Sequence, residues 1–379
     1  MFLLPKGFEV EMYTGTTSGE IVGLSEQIVH DLPQYMREPD ARNVEYATPP
    51  LADYDALLCE LVRPRLVLRD WLTAHGEYTL LPGSTLALAG SDRFVRSDPT
   101  SPYHDRIEAL YGTRVVTCSI HINFGISDPD DILKACRLLR LEAPLVLALS
   151  ASSPFFDGQV TGAHSTRWLR FPRTPEQVPL FADHAHYVGW VEEQLRLGTM
   201  YNVRHLWSSV RPNGPDRPYG INRAELRIAD MIASPLDLLG ITVLVEHRLI
   251  GLMAGEIADP LAGRFSADEL VAIADHNERA AAADSLDAEL IDWQSGERLT
   301  ARAWVTRLLT EAEPFAAAHG LTCYLKPVAR LLEEGNEAMR WLERHRLGVP
   351  VRDVLLDAAA RMADEEQELL ARLCAGTPA

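Results

Sequence analysis

The chain has 379 residues, 54 acidic against 36 basic side chains and a formal net charge of −18. No Lys/Arg-dense run exists, which excludes a nucleic-acid binder driven by phosphate neutralisation, and a content of 47% hydrophobic and 24% charged residues excludes global disorder. The longest apolar stretch, PLVLALSA at 144–151, falls short of the ~18 residues of a membrane span.

The start of the chain, MFLLPKGFEVE, has neither a basic region nor a long apolar one, so no signal peptide is expected and the reading is cytoplasmic. Residues 7–13 and 43–48 alternate apolar and polar side chains and predict strands. A helix is predicted over 54–71, a third alternating strand over 115–126, and a helix over 129–141 that opens after Asp128 with Pro129 in its first turn. A further helix is expected over 187–197 and a fourth alternating strand over 222–228. Beyond that point the pattern is helical. Ser234 and Pro235 open one helix, Ser266 and Glu269 form a capping-box signature for another, and 304–318 and 351–373 are amphipathic. The expectation is a single α+β domain over 1–379, with a sheet-rich part at 1–231 and a helical part at 232–379. Its sheet is mainly antiparallel, with helices on one face. Cys59, Cys118, Cys136, Cys323 and Cys374 are odd in number and scattered, which predicts small buried thiols rather than a disulfide framework or a zinc site.

The four alternating segments carry the functional signal, because residues i and i+2 of a strand share a face. Phe8, Val10 and Met12 oppose Glu9 and Glu11; Val44 and Tyr46 oppose Glu45. In VVTCSIHINFGI the apolar stripe of Val116, Cys118, Ile120, Ile122 and Phe124 opposes Thr117, Ser119, His121 and Asn123. In NRAELRI, Ala224, Leu226 and Ile228 oppose Arg223, Glu225 and Arg227. One such strand is ordinarily a solvated sheet face. Four in one sheet would gather four glutamates, His121, Asn123 and two arginines. Carboxylates that close repel one another, and hard cations such as Mg²⁺ or Mn²⁺ resolve the repulsion. The arginines add donors for a phosphate or carboxylate.

Other constellations are weaker. ALSASSPFFDG (148–158) ends an apolar run in small hydroxyl residues and a glycine, a pattern suited to close approach of a ligand. Arg167 and Arg173 flank Trp168 and Phe171. His184 and His186 read as polar residues at a helix start. No GxxxxGK[ST], GxGxxG or GxSxG is present, so any nucleotide would be held through metal ions and arginines rather than a glycine-rich loop.

The stretches KGFEVEMYTG, REPDARNVEYATPPL, PGSTLALAGSDRFVRSDP, VVTCSIHINFGI, EAPLVLALSASSPFFDG, TGAHSTRW, GTMYNVRHLWSSVRPNG and NRAELRIADM resemble the glutamate–cysteine ligases of the carboxylate–amine ligase superfamily, in the short form of cyanobacteria and proteobacteria. They span residues 6–231, and NERAAAADSLDA (277–288) is similar too. The resemblance implies a glutamine-synthetase-like fold, a curved sheet whose concave face binds ATP and two or three Mg²⁺ ions. It implies Glu9, Glu11, Glu45, His121 and Glu225 as metal ligands, with Arg223, Arg227 and Asn123 as ATP contacts. Arg227 and Arg167 are the implied catalytic arginines, and Arg167 and Arg173 the implied substrate contacts. Pro175 stands where the family's R-T-G element has glycine. The implied reaction joins L-glutamate to L-cysteine with ATP, the first step of glutathione biosynthesis, or joins glutamate to a different amine in a related ligase. Neither nucleic acid nor membrane is an implied partner.

Overall fold

The computed structural model describes residues 2–374. In chain order the first part holds β1 (Lys6–Thr16), α1 (Ser25–Asp31), β2 (Tyr35–Arg37), β3 (Asn43–Ala47), α2 (Tyr54–His75), β4 (Tyr78–Leu81), α3 (Pro102–Tyr111) and β5 (Ile120–Gly125). There follow α4 (Pro129–Ser150), a short hairpin of β6 (Phe155–Phe156) and β7 (Gln159–Val160), α5 (Thr166–Arg170), α6 (His184–Leu197), β8 (Val210–Asn213) and β9 (Arg223–Leu226). The remainder is α7 (Pro235–Met253), α8 (Ala267–Asp284), a hairpin of β10 (Glu289–Ile291) and β11 (Arg298–Thr300), α9 (Ala301–Ala318), α10 (Thr322–Glu334), α11 (Glu337–Arg346) and α12 (Val351–Leu369).

Seven strands form one sheet in the order β2-β3-β1-β5-β9-β8, with β4 also paired to β1, and every pairing is antiparallel. The four alternating segments are its centre. Their apolar stripes, Phe8, Val10, Met12, Val44, Tyr46, Ile120, Ile122, Phe124, Ala224 and Leu226, are all buried in one core with residues of α2, α4 and α7. Tyr46 fixes the sheet to α2 by donating its hydroxyl to the Leu61 carbonyl at 2.8 Å. Among the described residues no helix is long and apolar enough to cross a membrane.

Local chemistry sets the helix starts as expected. Asp128 accepts from the amides of Asp130 and Asp131 at the head of α4, and Ser266 and Glu269 form a reciprocal capping box on α8. Three of the differences from expectation have a clear physical reason. Helix α4 runs through Pro144 to Ser150 rather than ending at 141. Proline inside a helix forfeits a hydrogen bond and costs about 3 kcal/mol, but every residue from 135 to 150 is buried, and that continuous burial outweighs the loss. The third strand begins at Ile120 rather than 115, because β1 changes partner along its length. Its residues 6–10 pair with β5, while 13–16 pair with β4. Finally, Cys59 and Cys374 form a disulfide across 315 residues, contrary to the expected set of unpaired thiols. The C-terminal segment packs back on α2, a long-range contact that sequence spacing does not reveal. Cys118 and Cys136 are buried free thiols and Cys323 is an exposed one.

Candidate active site: a carboxylate face

Strand register brings the polar stripes together. Glu9 lies opposite His121, Glu11 opposite Glu45, and Glu225 opposite both Asn123 and Arg211. Such cross-strand partners place their Cβ atoms roughly 4.5–5.5 Å apart. His121 is the hub. Its Nδ1 lies 2.8 Å from Glu9 and 3.6 Å from Glu225, and its Nε2 lies 3.7 Å from Glu11. Ser119 donates both its amide and its hydroxyl to Glu11 Oε2 at 2.8 Å. Asn123 donates to Glu9 at 3.2 Å and accepts from Arg223 Nε at 3.0 Å. Glu225, fully buried, takes a two-pronged contact from Arg211 (2.7 and 3.0 Å), with further donors from Asn213 and Arg227 at 2.6 Å each.

The two ends of this face differ in electrostatics. Burial opposes ionisation of Glu225, but the guanidinium groups of Arg211 and Arg227, with His121, overcome it and hold the carboxyl well below the usual range. At Glu9 burial is again the largest influence and opposes ionisation, but the hydrogen bond from His121 together with the charges of His121 and Arg227 lowers the carboxyl. Glu11, Glu38 and Glu45 go the other way. Burial pushes each up, and at Glu11 and Glu45 the neighbouring Glu38 charge adds to it; Glu45 stands well above the usual range. This end is a cluster of carboxylates with too few cations of its own.

That imbalance is the test of fit for a metal. One oxygen each of Glu9 and Glu225 and one nitrogen of His121 lie within 4.8 Å of one another, and the adjacent Glu11, Glu38 and Glu45 supply the oxygen-rich surroundings that Mg²⁺ or Mn²⁺ favours. The donor set fits a hard divalent cation.

The remaining candidates sit elsewhere. Arg167 is buried beside this face, but its guanidinium donates to the backbone carbonyls of Ile228 (3.0 Å) and Arg227 (3.1 Å), so it braces the segment carrying Arg227. Its charge still reaches Glu11, and its side chain lies 5.9 and 5.8 Å from the rings of Trp168 and Phe171. Arg173 is not in the cluster; it pairs with Asp275 of α8 at 2.9 Å. The hydroxyl-rich stretch at 150–153 does not present its side chains to a ligand. Ser153 and Ser165 donate to the buried Asp230, and Ser152 donates its amide to the same carboxylate. His184 and His186 lie at the start of α6, where the His184 ring contacts the Pro218 carbonyl.

Four residues at or behind the face went unnoticed in the sequence. Glu38 follows β2 in period with Met36, which pairs with Glu45, but a three-residue strand gives alternation little length to show. Arg211 and Asn213 lie on β8, whose four residues include Pro212 and so lack a strand signature, although their i, i+2 spacing matches that of the other strands. Asp230 sits just past β9 and is found only through its serine donors.

Proteins of known structure share this architecture of an antiparallel sheet backed by helices. A glutamate–cysteine ligase from Francisella tularensis, solved in complex with AMP, superposes with a TM-score of 0.73 at 15% identity over 98% of this chain and 92% of that one. A bifunctional glutathione synthetase from Pasteurella multocida superposes with a TM-score of 0.74 at 17% identity; it covers 97% of this chain, which spans only 53% of that longer protein. The chain belongs to glutamate–cysteine ligase family 2, whose model matches residues 6–375. Relatives in sequence include "Putative glutamate--cysteine ligase 2" of Sorangium cellulosum, 31% identical over 73% of this chain and 76% of that protein. The protein of the same name from Salinispora tropica is 29% identical over 86% and 85%.

Proposed function

We propose that the chain joins the γ-carboxylate of L-glutamate to the amino group of L-cysteine at the expense of ATP, giving γ-glutamylcysteine, ADP and phosphate. The single observation that carries this reading is the carboxylate face, with Glu9, Glu11, Glu38, Glu45, Glu225 and His121 ringed by Arg211, Arg223 and Arg227 on one side of one sheet. A bare acidic face repels ATP; Glu9, His121 and Glu225, with Glu11 and Glu45, are the residues that would hold Mg²⁺. Held there, the ions would supply the positive charge that offsets the phosphates.

The side chains of this protein have the task of positioning. The glutamate carboxylate attacks the γ-phosphorus of ATP, ADP leaves with the electron pair of the broken P–O bond, and the resulting γ-glutamyl phosphate is an acylating agent that free carboxylate is not. Arg227, anchored on Glu225, faces the transferring phosphoryl group and stabilises the charge that develops there. Arg223 and Asn123, linked to each other and to Glu9, contact the nucleotide phosphates. Arg167 acts through Arg227 by fixing its backbone. The neutral amine nitrogen then attacks the acyl carbon, phosphate leaves with the electron pair of the broken C–O bond, and the proton shed by the nitrogen passes to the departing phosphate or to water.

A ligase that uses another amine would share the first half-reaction. Hydroxylamine tests that half directly. With ATP, Mg²⁺ and glutamate it traps an acyl phosphate as γ-glutamyl hydroxamate, which is the expected product. ATP hydrolysis independent of glutamate, with no hydroxamate, would instead identify a phosphohydrolase. A panel of amino acids assayed for ADP release then fixes the acceptor.

A further inference from the structure

Nine residues, 214–222, connect β8 to β9, where an ordinary hairpin needs about two to five. The extra length is tightly ordered. Asp216 and Gly220 exchange both backbone hydrogen bonds, at 3.3 and 2.7 Å, and the Asn222 amide donates to the Asn213 carbonyl at 2.9 Å. A Cβ on Gly214 would stand 2.2 Å from the Gly220 carbonyl oxygen, so only glycine lets the chain pass there. The loop is also fastened to α6. The His184 ring donates to the Pro218 carbonyl at 2.8 Å, and the Tyr219 hydroxyl donates to Glu192 at 2.8 Å.

This loop carries Arg217. The side chain is half-buried and donates to Asn213 Oδ1, and the Asn213 amide in turn donates to Glu225 at 2.6 Å. Arg217 is thereby tied to the carboxylate face, yet it makes no ion pair among the described residues. Glu225 is the one carboxylate among the strongest charges acting on it, and the Glu225 oxygens already accept from Arg211, Asn213 and Arg227. The other charges are the guanidinium groups of Arg211 and Arg227, which repel it. Burial first, and then the charge of Arg211, pull the Arg217 guanidinium down to about 10, which leaves it protonated at neutral pH. Arg223 adds a further cation at this end, held by Asn123 at 3.0 Å and Asn222 at 2.9 Å rather than by a carboxylate. Gathering so much unpaired positive charge is costly, and a bound anion offsets the cost. A single carboxylate would leave most of it uncompensated, whereas a polyphosphate carries several charges and many acceptor oxygens.

We infer that Arg217 is a polyphosphate contact of this site, and that the β8–β9 loop serves to hold its guanidinium ready for the phosphate chain of the nucleotide. The inference rests on the ligase reading for the identity of that nucleotide, but the binding itself is tested without turnover. The full chain is titrated calorimetrically with Mg²⁺–tripolyphosphate, with the Mg²⁺ complex of a non-hydrolysable ATP analogue, and with L-glutamate. Arg217→Met should weaken tripolyphosphate and the ATP analogue alike by about tenfold or more, the value of a charge-assisted hydrogen bond, and leave glutamate within about twofold. Arg217→Lys, which keeps the charge and loses the planar fork, should recover part of the affinity. Added salt should weaken tripolyphosphate binding less steeply in Arg217→Met than in wild type. Because Arg217 has no ion pair to lose, the thermal midpoint of Arg217→Met should stay within about 1 °C of wild type, whereas Arg211→Met, which strips Glu225 of two donors, should lower it by several times as much. The inference is overturned by wild type that fails to bind tripolyphosphate, by equal affinity of wild type and Arg217→Met for it, by a loss confined to glutamate, or by a midpoint that falls as far as in Arg211→Met. Failure of the ligase reading has a separate signature, the absence of glutamate-dependent ADP formation with every amine.

Discussion

Replacing Glu225 with Gln keeps the shape of the most heavily bonded group in the site and removes its charge. The side chain is fully buried and accepts four donors, two from Arg211 and one each from Asn213 and Arg227, at 2.6–3.0 Å. Glutamine retains one acceptor oxygen and turns an NH₂ group toward donors, leaving guanidinium charge uncompensated. Breaking a buried pair from one side costs about 3–5 kcal/mol. With an unfolding entropy of ~2.1 cal/mol/K per residue, 379 residues give roughly 0.8 kcal/mol/K, so the thermal midpoint should fall by about 4–6 °C. Calorimetry or circular dichroism at neutral pH measures it. Because the folded Glu225 carboxyl is depressed, its contribution is complete above the unfolded carboxyl value and is lost as pH falls through the folded one. The gap between wild type and variant should therefore hold constant above about pH 5 and narrow on acidification. Adding Arg211→Met to Glu225→Gln should recover part of the loss, since the orphaned cation is then removed. A midpoint change under about 1 °C, or a gap that widens with acid, would refute the reasoning.

The other end of the face predicts the opposite balance. Glu45→Gln removes a carboxyl that burial and Glu38 already push up, so stability should hold or rise slightly while glutamate-dependent ADP release drops by about 100-fold or more. Retained activity would count against a metal role for Glu45. Mg²⁺ at ~100 times its dissociation constant should stabilise the wild type by about 2.7 kcal/mol, or roughly 3 °C, and this increment should vanish in a Glu9→Gln/His121→Ala double variant. Reduction of the Cys59–Cys374 bridge should lower the midpoint by an amount corresponding to about 2–4 kcal/mol. Cys374→Ser should match the reduced wild type and be indifferent to reductant; a midpoint that reductant leaves unmoved in wild type would show that the bridge contributes nothing to stability.

Much of the site was legible because a sheet has a period of two. Glu9, Glu11, Glu45, His121, Asn123 and Glu225 each stand opposite an apolar neighbour in sequence, and the register that buries Phe8, Val44, Ile122 and Leu226 necessarily turns them to one face. Register itself was not legible, nor were contributions from short elements. Glu38 extends a three-residue strand, and Arg211 and Asn213 flank a proline. Arg167 shows a different limit. Its place beside the site was foreseeable from its motif, but its guanidinium is committed to the backbone carbonyls of residues 227 and 228, a partnership no pattern encodes. Helix α4 shows a third limit, since Pro144 reads locally as a stop, and only the complete burial of its surroundings carries the helix past it.

The measurement closest to the central claim is mass spectrometry of the products formed by the purified chain from ATP, Mg²⁺, L-glutamate and L-cysteine, with the amino-acid panel run alongside. A γ-glutamyl dipeptide should accumulate in equal amount with ADP and disappear in Glu45→Gln. ADP without any γ-glutamyl adduct, or a dipeptide linked through the α-carboxylate, would contradict the account.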